Sequence, residues 1–264
     1  MKTYHPLIIL LIIILGKASI PTTLSAQAWT STKVVGPFVC WGNFDLTEVE
    51  AELVSLSEVH RQLSEKLKLP PISEWIEVYV FHDNVSWREF LRRTYPKIPY
   101  RRAIFIKKKG ERGQLFVCRT EKFVVDVRHE GTHALLDATV SGVPEWLHEG
   151  LAEYFEVAPD DRLTGAEWFP ETQRNAKFGI SRKLTALEKF QSGMAMTNKD
   201  YRDSWAWVNF LLNGPPEVRG ILPEMIADFA RNGKAEPVSS RITKRIKNPD
   251  GALREYFRGL KPAL

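Results

Sequence analysis

The sequence predicts an α+β fold, with a mixed α/β first half and an all-helical second half. Up to about residue 120, short runs of β-branched and aromatic residues alternate with stretches whose apolar residues recur every three to four positions. Beyond that point only the helical spacing recurs. The chain has 264 residues, of which 44% are hydrophobic, so it can bury a substantial core.

The first half is expected to contain a hairpin, two other strand-like segments and two helices. Strand signals cover 34–46, 76–81, 103–108 and 114–120. Gly110 and Gly113 lie between the last two runs, which predicts a hairpin there. Thr47 and Ser86 are each followed three residues later by glutamate. These capping boxes are expected to begin a long helix that ends near residue 67 and a short helix that ends near residue 95.

Only helices are predicted after the hairpin. They cover approximately 121–138, 145–156, a short turn capped by Thr185, 200–212, 217–232 and 250–260. Ser141 to Pro144 breaks the chain between the first two, and the stretch from Pro159 to Thr185 shows no regular pattern. Gly131, within the first of these helices, is expected to allow the close approach of a neighbouring strand.

The first 28 residues have the pattern of a signal peptide. Lys2 precedes an apolar run from Leu7 to Leu15, and Ala26 to Ala28 matches a cleavage site. The run is too short for a comfortable membrane span. We therefore expect a cleaved signal peptide at 1–28 and an exported protein in the periplasm, at the cell envelope or secreted, with no stable membrane span after cleavage. An uncleaved membrane anchor is the alternative.

The charge pattern does not indicate a nucleic-acid partner. The net charge is +5, and it falls to +3 without residues 1–28, because these contain two lysines and no acidic residue. Basic clusters occur at 107–109 and 241–247, but neither is interleaved with the aromatic residues typical of a nucleic-acid groove. Both clusters are interpreted as solvated surface.

Cys40 and Cys118 are the only two cysteines, and each lies in an apolar, strand-like run. Export would permit them to oxidise. A disulfide between two strands and a pair of buried free thiols are both compatible with the pattern. Two cysteines so far apart do not suggest a zinc knuckle.

The stretch from His129 to His133 has the spacing of a metal site. Residues four apart lie on one face of an α-helix, so the two imidazoles can reach one ion, with Glu130 beside that face. This H-E-x-x-H pattern is typical of zinc hydrolases, in which the glutamate takes a proton from water at the metal. A chance motif in a structural helix is the alternative. A catalytic zinc ion takes three protein ligands, so the hypothesis needs a third.

The following helix offers several candidates for that third ligand. Glu145, Glu149 and Glu153 are four residues apart and share a face, which points either to a metal or to an exposed acidic stripe. His148 is a rival, although it lies about 100° around the helix from Glu149. The residues alone leave these alternatives open.

Two segments resemble gluzincin metallopeptidases and the related peptidase MA-like group of exported bacterial proteins. Pro144 to Phe155 (P-E-W-L-H-E-G-L-A-E-Y-F) resembles the motif P-x-W-L-x-E-G-L-A-E-Y, and Tyr201 to Trp205 is similar to the Y-x-x-S-W helix of that group. The resemblance spans about 76–212. It implies a zincin fold at 29–264, with a mixed α/β lobe at 29–140 that has an antiparallel edge strand, an all-helical lobe at 141–264, and an active-site cleft between them.

The resemblance also implies roles for individual residues. His129, His133 and Glu149 would bind one Zn²⁺ per chain, Glu130 would be the general base, and Glu153 would brace a ligating histidine from the second shell.

Two further expectations come from the same resemblance. Gluzincins use a tyrosine or histidine to stabilise the oxyanion, and Tyr201 is the candidate, with packing at a helix start as the alternative. The strand at 114–120 is expected to be either the edge strand to which an extended peptide adds or an ordinary strand of the sheet.

The expected function is that of an exported zinc metallopeptidase that acts on peptides or proteins. Glu130 would take a proton from water and pass it to the leaving amine. A catalytically silent zincin-fold binding or scaffold protein of the cell envelope is the alternative. Glu130 favours the enzyme, because metal binding alone does not require that glutamate.

Overall fold

The computed structural model describes residues 29–108, 110–191 and 194–262. The expected signal peptide at 1–28 lies outside the described residues. A five-stranded sheet and several helices make up the described chain, so the α+β prediction is confirmed. Contacts between Cα atoms divide it into an α/β unit, residues 29–61 and 71–138, and a helical unit, residues 62–70 and 139–262.

The described part of the α/β unit is built on the five-stranded sheet. Its strands are β1 (Ser31–Val35), β2 (Phe38–Gly42), β3 (Ile76–Phe81), β4 (Ala103–Ile106) and β5 (Gln114–Cys118). Their order is β1-β2-β3-β5-β4, with parallel pairing around β3 and antiparallel pairing at both edges. The predicted hairpin is confirmed as β4 and β5, with Ile106 opposite Gln114.

The strand order decides between the two alternatives for 114–120, because β5 is an ordinary inner strand of the sheet. β5 pairs with β3 on one side and with β4 on the other, so its backbone groups are already used within the sheet. β4 is the edge strand on this side, and its antiparallel pairing agrees with the expected antiparallel edge. Residue patterns predict that a strand exists, but the neighbours of a strand depend on tertiary structure.

The sheet also decides between the two alternatives for the cysteines. Cys40 and Cys118 are both buried free thiols. β3 separates their strands, and two strand spacings amount to roughly 9.5 Å. A disulfide needs Cα atoms within about 7 Å of each other, so this sheet keeps the two sulfurs apart.

Helices and aromatic side chains complete the core of the α/β unit. α1 (Glu50–Leu67) follows a 3₁₀ turn at Leu46–Val49, and its residues 50–61 belong to this unit. α2 is Asn84–Thr94 and α3 is Phe123–Thr139. Phe81, Trp87, Phe90 and Phe116 are buried together, with ring centroids 5.0 to 6.4 Å apart. The indole N–H of Trp87 donates to the Arg101 carbonyl at 2.6 Å, which satisfies its only polar group.

The described helical unit contains the remaining helices. They are α4 (Glu145–Phe155), α5 (Phe169–Lys177), α6 (Leu184–Leu187), α7 (Asn198–Asn213), α8 (Pro216–Arg219), α9 (Ile221–Asn232), α10 (Val238–Thr243) and α11 (Pro249–Gly259), with a 3₁₀ turn at Pro159–Asp161. α4 packs on α7 with very close backbones, because a Cβ on Gly150 would lie only 2.6 Å from the carbonyl oxygen of Ser204.

Three features of the helices differ from the sequence prediction. α5 lies in the stretch that showed no regular pattern, and α10 was not predicted. The single helix predicted at 217–232 is two helices, α8 and α9, which meet at Gly220. Gly131 faces the side chain of Leu56 on α1, so its close neighbour is a helix and not a strand.

Candidate metal centre

The two histidines of the H-E-x-x-H motif share one face of α3. His129 and His133 are 2% and 4% exposed, and their ring centroids are 5.0 Å apart. This is the arrangement expected for imidazoles at positions i and i+4 of a helix. Burial of α3 offsets the poor helix propensity of its valines and of Gly131.

Glu130 is held by the edge strand of the sheet. Its Oε2 atom accepts a hydrogen bond from the backbone N–H of Phe105, on β4, at 2.8 Å. The residue is 1% exposed. A backbone donor stabilises a carboxylate anion and limits its rotation, so this hydrogen bond fixes the orientation of the Glu130 carboxylate.

An ion pair fixes the rotation of α3 in the same unit. Asp126, one turn before Glu130, is 4% exposed and accepts two hydrogen bonds at 2.8 Å from the Arg102 guanidinium. Arg102 directly precedes β4, so the pair ties the first turns of the helix to the same strand that holds Glu130. The bidentate geometry adds orientation as well as attraction.

The glutamates on the shared face of α4 are buried. Glu145, Glu149 and Glu153 are 7%, 1% and 7% exposed, so the exposed acidic stripe is excluded. Burial, and then the charge of Glu149, raises the pKa of Glu145 to about 7. Carboxylates in such surroundings need compensating partners, because desolvation penalises their charge.

Three potential ligand atoms converge. One ring nitrogen of His129, one of His133 and one carboxylate oxygen of Glu149 all lie within 4.8 Å of one another. Ligand atoms around a tetrahedral zinc ion are separated by roughly 3 to 3.5 Å, given bonds of about 2 Å. A chance motif would leave these side chains scattered, whereas this buried group could hold a metal ion.

Hydrogen bonding at the level of single atoms fits the same group. Within the described part of the chain, Nε2 of His129, Nε2 of His133 and Oε2 of Glu149 are buried and make no hydrogen bond. Each of the three residues also makes other interactions. Two imidazole nitrogens and one carboxylate oxygen are donors that suit Zn²⁺.

Glu153 lies next to the histidine that it is expected to brace. A carboxylate oxygen of Glu153, a carboxylate oxygen of Glu156 and a ring nitrogen of His129 lie within 4.8 Å of one another. The Oε2 atom of Glu153 also accepts a hydrogen bond from the indole N–H of Trp168 at 2.6 Å. This placement suits an orienting carboxylate, since a ligating imidazole commonly donates its second N–H to one.

His148 and Tyr201 are the two remaining candidate residues, and neither is one of the three residues whose ligand atoms converge. His148, the rival ligand, belongs to neither group of potential ligand atoms in the described residues. Burial lowers its pKa to about 4, which favours a neutral imidazole. Tyr201 is 4% exposed in the first turn of α7, which is compatible both with packing and with the oxyanion role. Its role stays a prediction.

Several residues that hold the site carry no motif in the sequence. Phe105 donates through its backbone N–H, and Trp168 lies within the stretch from Pro159 to Thr185, where the sequence shows no regular pattern. Gly150 belongs to the motif-like segment from Pro144 to Phe155, but its contact with Ser204 follows only from the packing of α4 on α7. A glycine opposite a serine on two apolar helices is the one signal that could have indicated close packing.

No protein-family model matches the sequence, and no curated protein shows a significant match to it. None of the helices in the described residues combines the length and the apolar character needed to cross a membrane.

Proposed function

We propose that this chain is a zinc-dependent metallopeptidase of gluzincin type, with a zincin fold, that is exported and hydrolyses peptide bonds. The convergence of His129, His133 and Glu149, all three buried, is the observation that carries the proposal. These residues would hold the ion, and Glu153 would orient His129 from behind.

In the proposed reaction, a bound metal ion and Glu130 have different roles. A bound Zn²⁺ supplies a Lewis acid that polarises a carbonyl and makes water more acidic. Glu130 takes the proton from the attacking water and later gives it to the leaving amine, so one carboxylate serves as base and then as acid. The hydrogen bond from Phe105 keeps that carboxylate in place while its other oxygen moves the proton.

The choice of a peptide bond as substrate rests on resemblance. The stretch from Pro144 to Phe155 and the helix that begins near Tyr201 resemble segments of gluzincin peptidases. The signal-like segment at 1–28 supports an exported enzyme. A silent scaffold protein would also keep the metal ligands, but it would have no use for Glu130.

Metal content and turnover test the proposal separately. Purified chain should contain about one zinc ion, measured by mass spectrometry of the metal, and should cleave members of a fluorogenic peptide library. Glu130→Gln should retain the ion and lose activity by roughly 100-fold or more, because the general base is removed. A chelator should abolish the activity of the wild-type chain, and the activity should return when the chelator is removed and zinc is added.

Matched glutamates on α4 provide the control for the ligand set. Glu149→Gln should lose the metal, whereas Glu145→Gln, which changes a buried glutamate one turn earlier, should keep it. Loss of metal in both variants, or in neither, would exclude Glu149 as a specific ligand. Metal binding without any hydrolysis, by wild type as well as by Glu130→Gln, would support the scaffold alternative.

A further inference from the structure

The helical unit contains a cavity of about 210 Å³ that none of the proposed metal ligands lines. α5, α7, α11 and the loop segment 180–182 form its walls. Its volume is roughly seven times the 30 Å³ that a water molecule occupies in the liquid. The cavity is therefore large enough for a small organic molecule.

The floor of the cavity is apolar and buried. Trp207 on α7 and Phe257 on α11 are each 1% exposed, and Leu253 is 4% exposed. Ala176 and Ala206 line the same cavity, and their small side chains leave the space between the helices open. An apolar floor of this kind favours a compact aliphatic or aromatic body.

Basic side chains line the cavity together with these apolar residues. The lining residues with a formal charge are Arg182, Lys199, Arg202, Arg254 and Asp203. Arg182 forms an ion pair with Asp200, which lies outside the lining. Arg202 is paired twice, with Asp203 at 2.7 Å and with Glu171. Four cations and three carboxylates leave one positive charge at the cavity.

Lys199 and Arg254 contribute two positive charges, and the second carboxylate beside Arg202 offsets one of them. No carboxylate of the described residues forms an ion pair with Lys199 or Arg254. Nη1 of Arg254 donates to the hydroxyl of Ser181 at 2.7 Å, which orients the guanidinium at the cavity wall. A planar guanidinium held in this way can bind a carboxylate through two parallel hydrogen bonds.

Thr172 adds a polar group that the fold itself does not use. Thr172 lines the cavity and is 9% exposed. Its buried Oγ1 atom has no hydrogen-bond partner in the described chain. A buried hydroxyl without a hydrogen-bond partner costs desolvation free energy, and a hydrogen bond to an acceptor on a ligand would offset that cost. This points to a polar ligand group beside the apolar floor.

We propose that this cavity binds a small monocarboxylate with a compact apolar body. The Arg254 guanidinium and the Thr172 hydroxyl bind the carboxylate, Lys199 attracts it from the exposed side, and Trp207 and Phe257 contact the body. The single positive charge of the cavity matches a single negative charge on the ligand. The site needs no metal, so carboxylate binding can be tested independently of the proposed peptidase activity.

Titration of the full chain with matched small molecules tests the proposal. The probes are benzoate, 3-phenylpropanoate and 3-methylbutanoate, each compared by calorimetry with its neutral amide. At least one carboxylate should bind saturably with a dissociation constant of about 1 mM or tighter, and its amide should bind roughly tenfold more weakly or worse. Absence of saturable binding by all three carboxylates, or equal affinity for carboxylate and amide, overturns the proposal.

Variants locate the binding at this cavity. Arg254→Met should weaken carboxylate binding about tenfold or more. Lys199→Met, at an exposed residue, should weaken it several-fold and change stability by no more than about 0.5 kcal/mol. Thr172→Val should weaken binding while the thermal midpoint is unchanged or higher, because an unused buried hydroxyl is removed. Lys177→Met, which removes an exposed charge of α5 that does not line the cavity, is the control. An equal loss in Lys177→Met and Lys199→Met would mean general charge attraction and would overturn the assignment.

Discussion

Two glutamates at the candidate centre accept hydrogen bonds from residues that the motifs do not contain. Glu130 accepts from the backbone of Phe105, which is 25 residues earlier, and Glu153 accepts from Trp168, which is 15 residues later. The spacing of the histidines could be predicted, because helical geometry alone places positions i and i+4 together. The partners could not, because they come from elements whose packing local patterns do not determine.

The bracing role of Glu153 predicts a graded effect on metal binding. Glu153→Gln should weaken zinc binding by about 10- to 100-fold, because the acceptor for the second N–H of His129 loses its charge. Trp168→Phe should have a smaller effect, since it removes only the donor that holds Oε2 of Glu153. Competition with a chromophoric chelator measures both affinities.

Glu156 is the alternative candidate for the residue that braces His129. Its carboxylate belongs to the same group of atoms around His129, but it is less buried than Glu153. If Glu156→Gln weakened zinc binding more than Glu153→Gln, the bracing role would belong to Glu156 instead.

Helix starts show how far local signals determine the elements. The predicted caps were Thr47 and Ser86, but Asp45 and Asp83 cap the actual starts. Asp83 accepts from the backbone N–H groups of Ser86 and Val85, and these hydrogen bonds lower the pKa of its carboxyl. Two residues suitable as caps lie within four positions, and the local pattern does not distinguish them.

α5 was missed for a different reason. Its buried face consists of Phe169, Thr172 and Ala176, so only one large apolar residue marks the helical period. The helix packs against α11, and the Gln173 side chain donates to the carbonyl of Phe257 in the last turn of α11 at 3.2 Å and to that of Leu260, directly after the helix, at 2.7 Å. Tertiary contacts, which a sequence pattern does not contain, stabilise such a helix.

The close packing of α4 on α7 at Gly150 predicts that a side chain added there destabilises the protein. A Cβ at this position would lie 2.6 Å from the carbonyl oxygen of Ser204 and 2.8 Å from Val208, and the backbone oxygen cannot move away as a flexible side chain would. Gly150→Ala should therefore destabilise the protein by about 1 to 3 kcal/mol, in spite of the better helix propensity of alanine. Chemical denaturation followed by circular dichroism measures the change.

Gly259 is the matched control for that substitution. It is the last residue of α11, and a Cβ there would meet no atom within 4 Å. Gly259→Ala should be neutral or stabilising by up to about 1 kcal/mol. A Gly150→Ala variant as stable as Gly259→Ala would contradict the close packing of the two helices.

At the scale of the whole molecule, the class of fold was predictable and the arrangement of the sheet was not. Alternation and apolar spacing predicted three of the five strands and most helices, because these depend on residues near in sequence. The single strand and turn predicted at 34–46 is instead the antiparallel pair β1 and β2. Strand order depends on which distant segments pair, and it placed β5 inside the sheet and β4 at its edge. The same order keeps Cys40 and Cys118 on strands that β3 separates.

The two thiols consequently report on the opening of the folded chain. Burial raises the pKa of Cys40 to about 12 and that of Cys118 to about 11, so very little thiolate exists in the native state at pH 8. Since the thiolate is the reactive form, a disulfide reagent such as Ellman's should react with native protein at least about 100-fold more slowly than with a free cysteine. In guanidinium chloride, two thiols per chain should react rapidly.

Single-cysteine variants distinguish global from local opening in that experiment. If only global unfolding exposes the sheet, Cys40→Ala and Cys118→Ala should each leave one thiol, and the two rates should rise equally with denaturant. A rate for Cys118 that stays faster and independent of denaturant would reveal local opening of the β5 end. Rapid reaction of either thiol without denaturant would contradict the burial, and no reaction after unfolding would show that the cysteines are oxidised.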